Sequence, residues 1–236
     1  TELKAKRLLP IPIPLPPLAE QRRIVTRIEE LAAQIHEAQS LRQQATKEAE
    51  ALLVSYSRFQ FSHPVGNSWR DLRIVDACDA MIDYRGRTPP ISEEGIPHIT
   101  SANIKGGRIN WHTSKFVTDE TYAVFMTRGI PQPQDVLFTM EAPLAEVGVV
   151  PDARKFSLAQ RVILLRPKSS ILIGDFLAHA LSSPAVREDI FSKATATTVR
   201  GIASKRLKEV HVPVPSIPEQ RRIVAELDAL QAVADR

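Results

Sequence analysis

Between Ala19 and about Arg58 the chain has no glycine and no proline, and apolar residues recur at Ile24, Ile28, Leu31, Ile35, Ala38, Ala45, Ala49, Leu52 and Tyr56. This 4/3 spacing, interrupted at Arg42, is a heptad seam and predicts one long helix. Roughly 40 helical residues span about 60 Å. One small domain cannot cover a stripe of that length. The seam therefore calls for a second helix, with Ile24, Ile28, Leu31, Ile35 and Leu52 as the packing positions.

Beyond a linker-like run, Ser62-His63-Pro64-Val65-Gly66-Asn67-Ser68, the period changes. Short β-rich runs end at turn residues: Ile96–Thr100, Lys115–Thr118, Asp135–Thr139, Val147–Val150 and Arg161–Leu165. Helical spacing returns at Gly174–Ser182 and again over Pro184–Lys193. The pattern predicts an α+β chain: a long coiled-coil-type spacer helix followed by a mixed α/β domain. Proline on alternate positions in Ile11–Pro16 and in Val210–Pro215 forces extended backbone and confines any strand there to a sheet edge.

Those two proline-rich runs belong to a repeat. Lys6-Arg7-Leu8…Pro14-Leu15-Pro16…Glu20-Gln21-Arg22-Arg23-Ile24-Val25 returns 199 positions later as Lys205-Arg206-Leu207…Pro213-Val214-Pro215…Glu219-Gln220-Arg221-Arg222-Ile223-Val224, with 12 of the 26 positions from Lys6 to Leu31 identical. The period is too long for a solenoid and fits a module of one domain plus one helix. In the second copy Ser216 and Glu219 have capping-box spacing; the first copy keeps Glu20 and lacks the hydroxyl.

Charge sharpens the picture of the domain. Residues 61–217 carry nineteen basic and sixteen acidic side chains, within a whole-chain charge of +4. Two windows lack acids: Arg154, Lys155, Arg161, Arg166 and Lys168 in one, and Lys193, Arg200, Lys205, Arg206 and Lys208 in the other. If both windows share a face, that face suits an anion. A single cysteine, Cys78, excludes an internal disulfide framework and a cysteine zinc site and suits a cytoplasmic location. The most apolar stretch, Leu8–Ala19, is broken by five prolines, so no membrane span is expected. Phosphate-loop, dinucleotide and nucleophile-elbow motifs are missing, and no histidine pair has metal-ligand spacing. No catalytic residue, metal or cofactor is predicted for the chain itself.

Three glycine- or proline-flanked loops carry side chains suited to nucleic acid. Tyr84–Pro89 offers Arg85, Arg87 and Thr88; Ser101–Arg108 offers Asn103, Lys105 and Arg108; Ala194–Gly201 offers Thr198 and Arg200. Arginine pairs with guanine edges or clamps phosphate, and an amide can pair with adenine. With Arg161 and Lys205 from the basic windows, these are the expected DNA-binding residues.

The proline-rich strand leading into Glu-Gln-Arg-Arg-Ile-Val and a long helix, present twice, resembles the conserved regions of the specificity subunit of type I restriction–modification enzymes. The intervening segment resembles a target-recognition domain of that family at Trp69–Leu72, Tyr84–Pro89, Gly95–Ile99, Asp135–Thr139, Glu141–Pro143 and Ala159–Arg161. The resemblance implies four parts: 1–17 as the tail of a preceding recognition domain, 18–60 as the spacer helix, 61–217 as a DNA-binding recognition domain, and 218–236 as the start of a second conserved helix. It implies a fragment or a half-length form, with a homodimer through the long helix as one expectation. It further implies recognition of one half of a split double-stranded DNA site, without catalysis by the subunit. Methyltransferase subunits using S-adenosylmethionine and motor–nuclease subunits using ATP and Mg are the implied partners. The rival expectation is a helical scaffold that recruits partner enzymes and binds DNA weakly alone.

Overall fold

The computed structural model describes residues 15–62, 69–84, 86, 88–195 and 200–235. The chain divides after Glu48 into two units. The edge strand expected at 11–16 falls mostly on residues 1–14, outside the described residues, as does the linker at 63–68.

Helix α1 (Leu18–Ser62) runs through the predicted heptad segment. In the first unit Ile24, Ile28, Leu31 and Ile35 are 41–59% exposed, so this stretch of the seam is open among the described residues. In the second unit the seam needs a one-residue correction: Leu52 is exposed, and Leu53, Tyr56 and Phe61 pack on the domain core. Leu53, Tyr56 and Gln60 recur at helical spacing. The face is fixed by a polar chain in which Gln60 Nε2 donates to Tyr56 Oη (2.8 Å) and Tyr56 Oη donates to Glu226.

The domain contains β1 (Arg70–Arg73), α2 (Ile74–Ala77), β2 (Cys78–Asp83), β3 (Ile96–Ile99), β4 (Ile104–Lys105), β5 (Arg108–Ile109), β6 (Phe116–Val117), α3 (Asp119–Phe125), β7 (Val136–Thr139) and β8 (Val147–Val149). It continues through β9 (Ser157–Leu158), β10 (Val162–Pro167), α4 (Gly174–Ser182), α5 (Pro184–Lys193), α6 (Ser204–Leu207), β11 (His211–Val214) and α7 (Ile217–Ala234). Its centre is an antiparallel sheet in the order β2-β10-β7-β8. Side chains alternate between two cores, as a period of two requires. Val136, Phe138, Ile163 and Leu165 face one core with α4, α5, α7 and the end of α1; Leu137, Val162 and Leu164 face the other with β3, β6, β9 and α3. Central strands buried on both faces read as unbroken apolar runs, which is how Val162-Ile163-Leu164-Leu165 looks in the sequence.

Among the described residues β11 pairs with β1 alone, leaving Pro213 and Pro215 at an edge where no ladder donor is needed. Ser216 is the N-cap of α7, but the capping box does not form: the Ser216 side chain makes no cap bond, and Glu219 is held instead by Arg222 at 2.7–3.1 Å. The first copy repeats this pair as Glu20–Arg23 at 2.6–3.0 Å.

Helix α4 begins without a capping side chain of its own, and distant glutamines do the work. Gln220 Oε1 accepts from Ile173 N (3.0 Å), and Gln134 Oε1 accepts from Gly174 N (3.0 Å). The approach is close enough that a Cβ on Gly174 would lie 2.2 Å from the Gln134 carbonyl oxygen, so only glycine fits.

Candidate nucleic-acid interface

The sheet register decides which loops meet. Asp83 at the end of β2 lies opposite Ile163, and Thr139 at the end of β7 lies opposite Val162, so two strand exits and the entrance to β10 share one end of the sheet. Further segments are tied to that end. Ile202 N donates to Met140 O (3.0 Å), Met140 N donates to Arg161 O (2.8 Å), and Glu141 bridges to Gly201. Ser204 Oγ donates to Asp83 Oδ2 (2.7 Å), and Ser101 Oγ donates to Ala142 O (3.1 Å).

Of the expected contact residues, this arrangement brings together Arg161, Arg200 and Lys205, all exposed, around the Glu141–Gly201 bridge and the start of α6. Arg161 Nε lies 3.0 Å from Glu141 Oε1, and Arg200 lies over the Phe191 ring at 5.9 Å. The loop after β2 leaves from the same end. Arg85 and Arg87 lie outside the described residues, as does Thr198. Tyr84 anchors the loop's start: it stacks on Phe125 (5.6 Å) and donates to Gly129 O (2.5 Å), while burial pushes its phenol up. Thr88 is exposed farther along, beside a groove of about 330 Å³ lined by Pro90, Glu120, Val124 and Phe125.

Two expected residues are placed elsewhere. Asn103 is buried, and its amide is used within the protein: Oδ1 accepts from Thr100 N (3.1 Å) and Thr100 Oγ1 (2.8 Å), and Nδ2 donates to Asn110 O (3.0 Å) and His112 O (3.3 Å). A side chain so satisfied holds a turn and has no free edge for a base. Arg108 pairs with Asp235 at 3.1 Å and lines a cavity of about 520 Å³ with Leu53, His179, Leu227 and Asp228, on the helical side of the domain. Lys105 is exposed on the same β4–β5 hairpin, which is tied to β8 through Val149 N donating to Gly107 O (3.2 Å).

The first acid-free window does not form one cationic face. Arg166 is paired with buried Asp135 at 2.7–2.8 Å, Arg154 with Asp152 at 2.6–2.8 Å, and Lys155 with Asp119 at 2.5 Å. The Arg154 guanidinium holds Asp152 down at about 2. These acids stand outside the window in sequence and return to it in space. Sequence reasoning also missed Glu141 as more than a turn residue. The backbone around it signals constraint: Ala142 and Ala145 have φ of +47° and +65°, conformations non-glycine residues adopt only when held there. No group of three or more His, Cys, Asp or Glu side chains among the described residues could hold a metal ion, and no described helix is long and apolar enough to cross a membrane. His98 is buried, bonded through Nδ1 to Ser157 Oγ (2.8 Å), and desolvation lowers it to about 4.

The described residues thus form a long helix and a mixed α+β domain whose sheet gathers several loops at one end. Residues 87–235 match the family model of the type I restriction modification DNA specificity domain, and the chain belongs to that family. It is 24% identical to the EcoBI specificity subunit of Escherichia coli, over 99% of this chain and 54% of that protein. It is also 24% identical to the EcoKI specificity subunit of E. coli strain K12, over 95% of this chain and 52% of that protein. The chain thus spans about half the length of the curated relatives it matches. Among solved structures it is similar to the HsdS subunit from Thermoanaerobacter tengcongensis, with a TM-score of 0.68 and 28% identity over 94% of this chain and 53% of that one. A structure described as showing complex assembly and conformational transition of the type I R-M system gives a TM-score of 0.68 and 30% identity, over 94% of this chain and 54% of that one.

Proposed function

We propose that the chain reads one half of a split double-stranded DNA site as part of a type I restriction–modification complex and carries out no catalysis itself. The observation that carries this reading is the convergence of the β2, β7 and β10 ends and the 200–205 segment, which puts Arg161, Arg200 and Lys205 on one exposed surface. Guanidinium and ammonium groups on loops held by a rigid sheet suit phosphate clamping and guanine reading. Arg85, Arg87, Thr88 and Lys105, expected from the sequence to contact DNA, remain part of this reading as residues to be tested. The division into a tail (1–17), spacer helix (18–60), recognition domain (61–217) and second conserved helix (218–236) is part of this reading.

The partners follow from the family. Methyltransferase subunits would supply S-adenosylmethionine chemistry, and motor–nuclease subunits would supply ATP- and Mg-dependent cleavage, in the cytoplasm. The exposed seam at Ile24, Ile28, Leu31 and Ile35 supports a helical contact with a second copy or another subunit. Selection from a random duplex pool, followed by binding in a salt series, tests DNA reading. The expected result is an enriched half-site whose affinity falls with salt, with Lys205→Ala weakening all sequences evenly. Equal affinity for every duplex would favour a scaffold over a reader. For the seam, sedimentation of a strict monomer at tens of micromolar would remove the self-association part.

A further inference from the structure

On the reading that this end of the sheet meets DNA, we infer that Glu141 is a specificity-determining residue that accepts a hydrogen bond from the exocyclic amine of a cytosine. Arg161 positions its carboxylate.

Glu141 is a costly residue for a DNA surface. A carboxylate repels phosphate, and an exposed ion pair of this kind adds little to stability. The Glu141 and Arg161 side chains are 42% and 51% exposed, so neither is part of the core. Yet the backbone around Glu141 is held from four directions. Met140 N and O are bonded to Arg161 and Ile202, Gly201 bridges to Glu141 itself, Ala142 O takes the Ser101 hydroxyl, and Arg187 donates to Ala145 O at 2.6 Å. The strained φ at Ala142 and Ala145 shows that the turn is imposed by these contacts. Gly201 completes the fit: a Cβ there would lie 3.2 Å from Glu141 Cβ and 3.4 Å from Oε2.

The other carboxylates near this end are differently engaged. Asp83 accepts from Ser204, and Glu146 lies 3.4 Å from Gly106 N. Glu141 is oriented through Oε1 by Arg161 Nε at 3.0 Å. The major groove offers two exocyclic amines, cytosine N4 and adenine N6, and a carboxylate favours cytosine because adenine sets the N7 acceptor beside its amine. The repulsion from phosphate is then the basis of selection, because a cytosine at that position offsets it best.

The experiment compares the wild-type chain with Glu141→Gln, Glu141→Ala and Arg161→Ala in parallel selections from one random duplex pool. Thermal melting checks that each variant is folded. Glu141→Gln is nearly isosteric and carries the test if Glu141→Ala does not fold. The expected result is a wild-type site with a cytosine preference of roughly tenfold or more at one base pair. That preference disappears in both Glu141 variants while the other positions are kept, and Glu141→Ala binds non-cognate duplex more tightly. Arg161→Ala relaxes the same base pair as the Glu141 variants, whereas relaxation confined to another pair would show Arg161 to act independently of Glu141. Glu141 variants that enrich the wild-type sequence with unchanged discrimination at every position overturn the inference while leaving DNA reading intact. A wild-type chain that enriches no sequence removes the reading itself, and this inference with it.

Discussion

Replacing Gln220 by leucine removes a buried polar hub at nearly constant volume. Gln220 is fully buried at the start of α7; Oε1 accepts from Ile173 N (3.0 Å), and Nε2 donates to Ile171 O (2.7 Å) and Pro215 O (2.8 Å). Leucine leaves one donor and two acceptors without their partner. A buried unsatisfied group costs about 1–3 kcal/mol. Ile171 and Ile173 are only half-buried, so water recovers part of that loss, and the added apolar side chain recovers more. The net cost works out at about 3 kcal/mol, a drop of roughly 1–2 M in urea midpoint for a typical slope. The repeat supplies an internal control. Gln21, 199 positions earlier, makes the same bond to a carbonyl five residues back, Pro16 O at 2.7 Å. It is only half-buried, so Gln21→Leu should cost under about 1 kcal/mol. Urea unfolding followed by tryptophan fluorescence reads the Gln220 variant, since Trp69 packs against Phe176 at 6.4 Å, and the far-UV circular dichroism of helix α1 reads the Gln21 variant. Equal midpoint shifts for the two variants, or a negligible shift for Gln220→Leu, would refute the reasoning.

Two further outcomes follow from buried titratable groups. His98 is lowered from 6.5 to about 4 by burial, with Lys115 adding to the shift, so the unfolded chain takes up a proton that the folded chain refuses. Stability from this group is intact above pH 6.5 and falls as pH drops toward 4, by at most roughly 3 kcal/mol. His98→Asn, whose amide can face Ser157, should lack that component; parallel pH–stability curves for the two proteins would contradict it. Burial pushes the Cys78 thiol up to about 12, so a thiol reagent at pH 8 should leave it untouched until urea unfolds the domain. Labelling of the native protein at the rate of a free thiol would show the core to be open there.

What the sequence made legible was whatever local pattern controls. The heptad spacing marks α1, and the β-rich runs mark β3, β6, β7, β8 and β10; of these, β7 and β10 lie inside the central sheet and carry continuous hydrophobics. Helices α4 and α5 stand at the predicted residues, Gly174–Ser182 and Pro184–Lys193. Strand β2 was missed because Cys78-Asp79-Ala80-Met81-Ile82-Asp83 mixes acids with apolar residues and acquires its strand character only by pairing with β10. The site was less legible, for a spatial reason. Arg161, Arg200 and Lys205 are grouped by sheet register, which no local pattern encodes. Arg154, Lys155 and Arg166 look like a basic window until distant acids meet them. Asn103 looked like a free amide on a polar loop, and the turn it closes is visible only once Thr100, Asn110 and His112 are in place.

The repeat reads differently at the two ends of the chain. Ile223 and Leu227 are buried in the domain core beside α4, whereas their counterparts Ile24 and Ile28 are 41% and 59% exposed. The same residues thus serve as core in one setting and as an uncovered face in the other. The shared features are local: the Glu–Arg pair and the glutamine-to-proline bond recur in both copies. Sequence identity preserved the helix start, and tertiary context decided what covers it.

Site-directed photo-cross-linking tests the placement of DNA most directly. A cross-linking side chain goes at Ala203, exposed at the sheet end where β2 and β7 finish and β10 begins, or at Ser169, exposed beyond the far end of β10. Irradiated with a duplex selected by the wild-type protein, the Ala203 derivative should cross-link efficiently, and the Ser169 derivative should give only background. Cross-linking from Ser169 with none from Ala203 would place the DNA on the opposite end of the sheet and contradict the account.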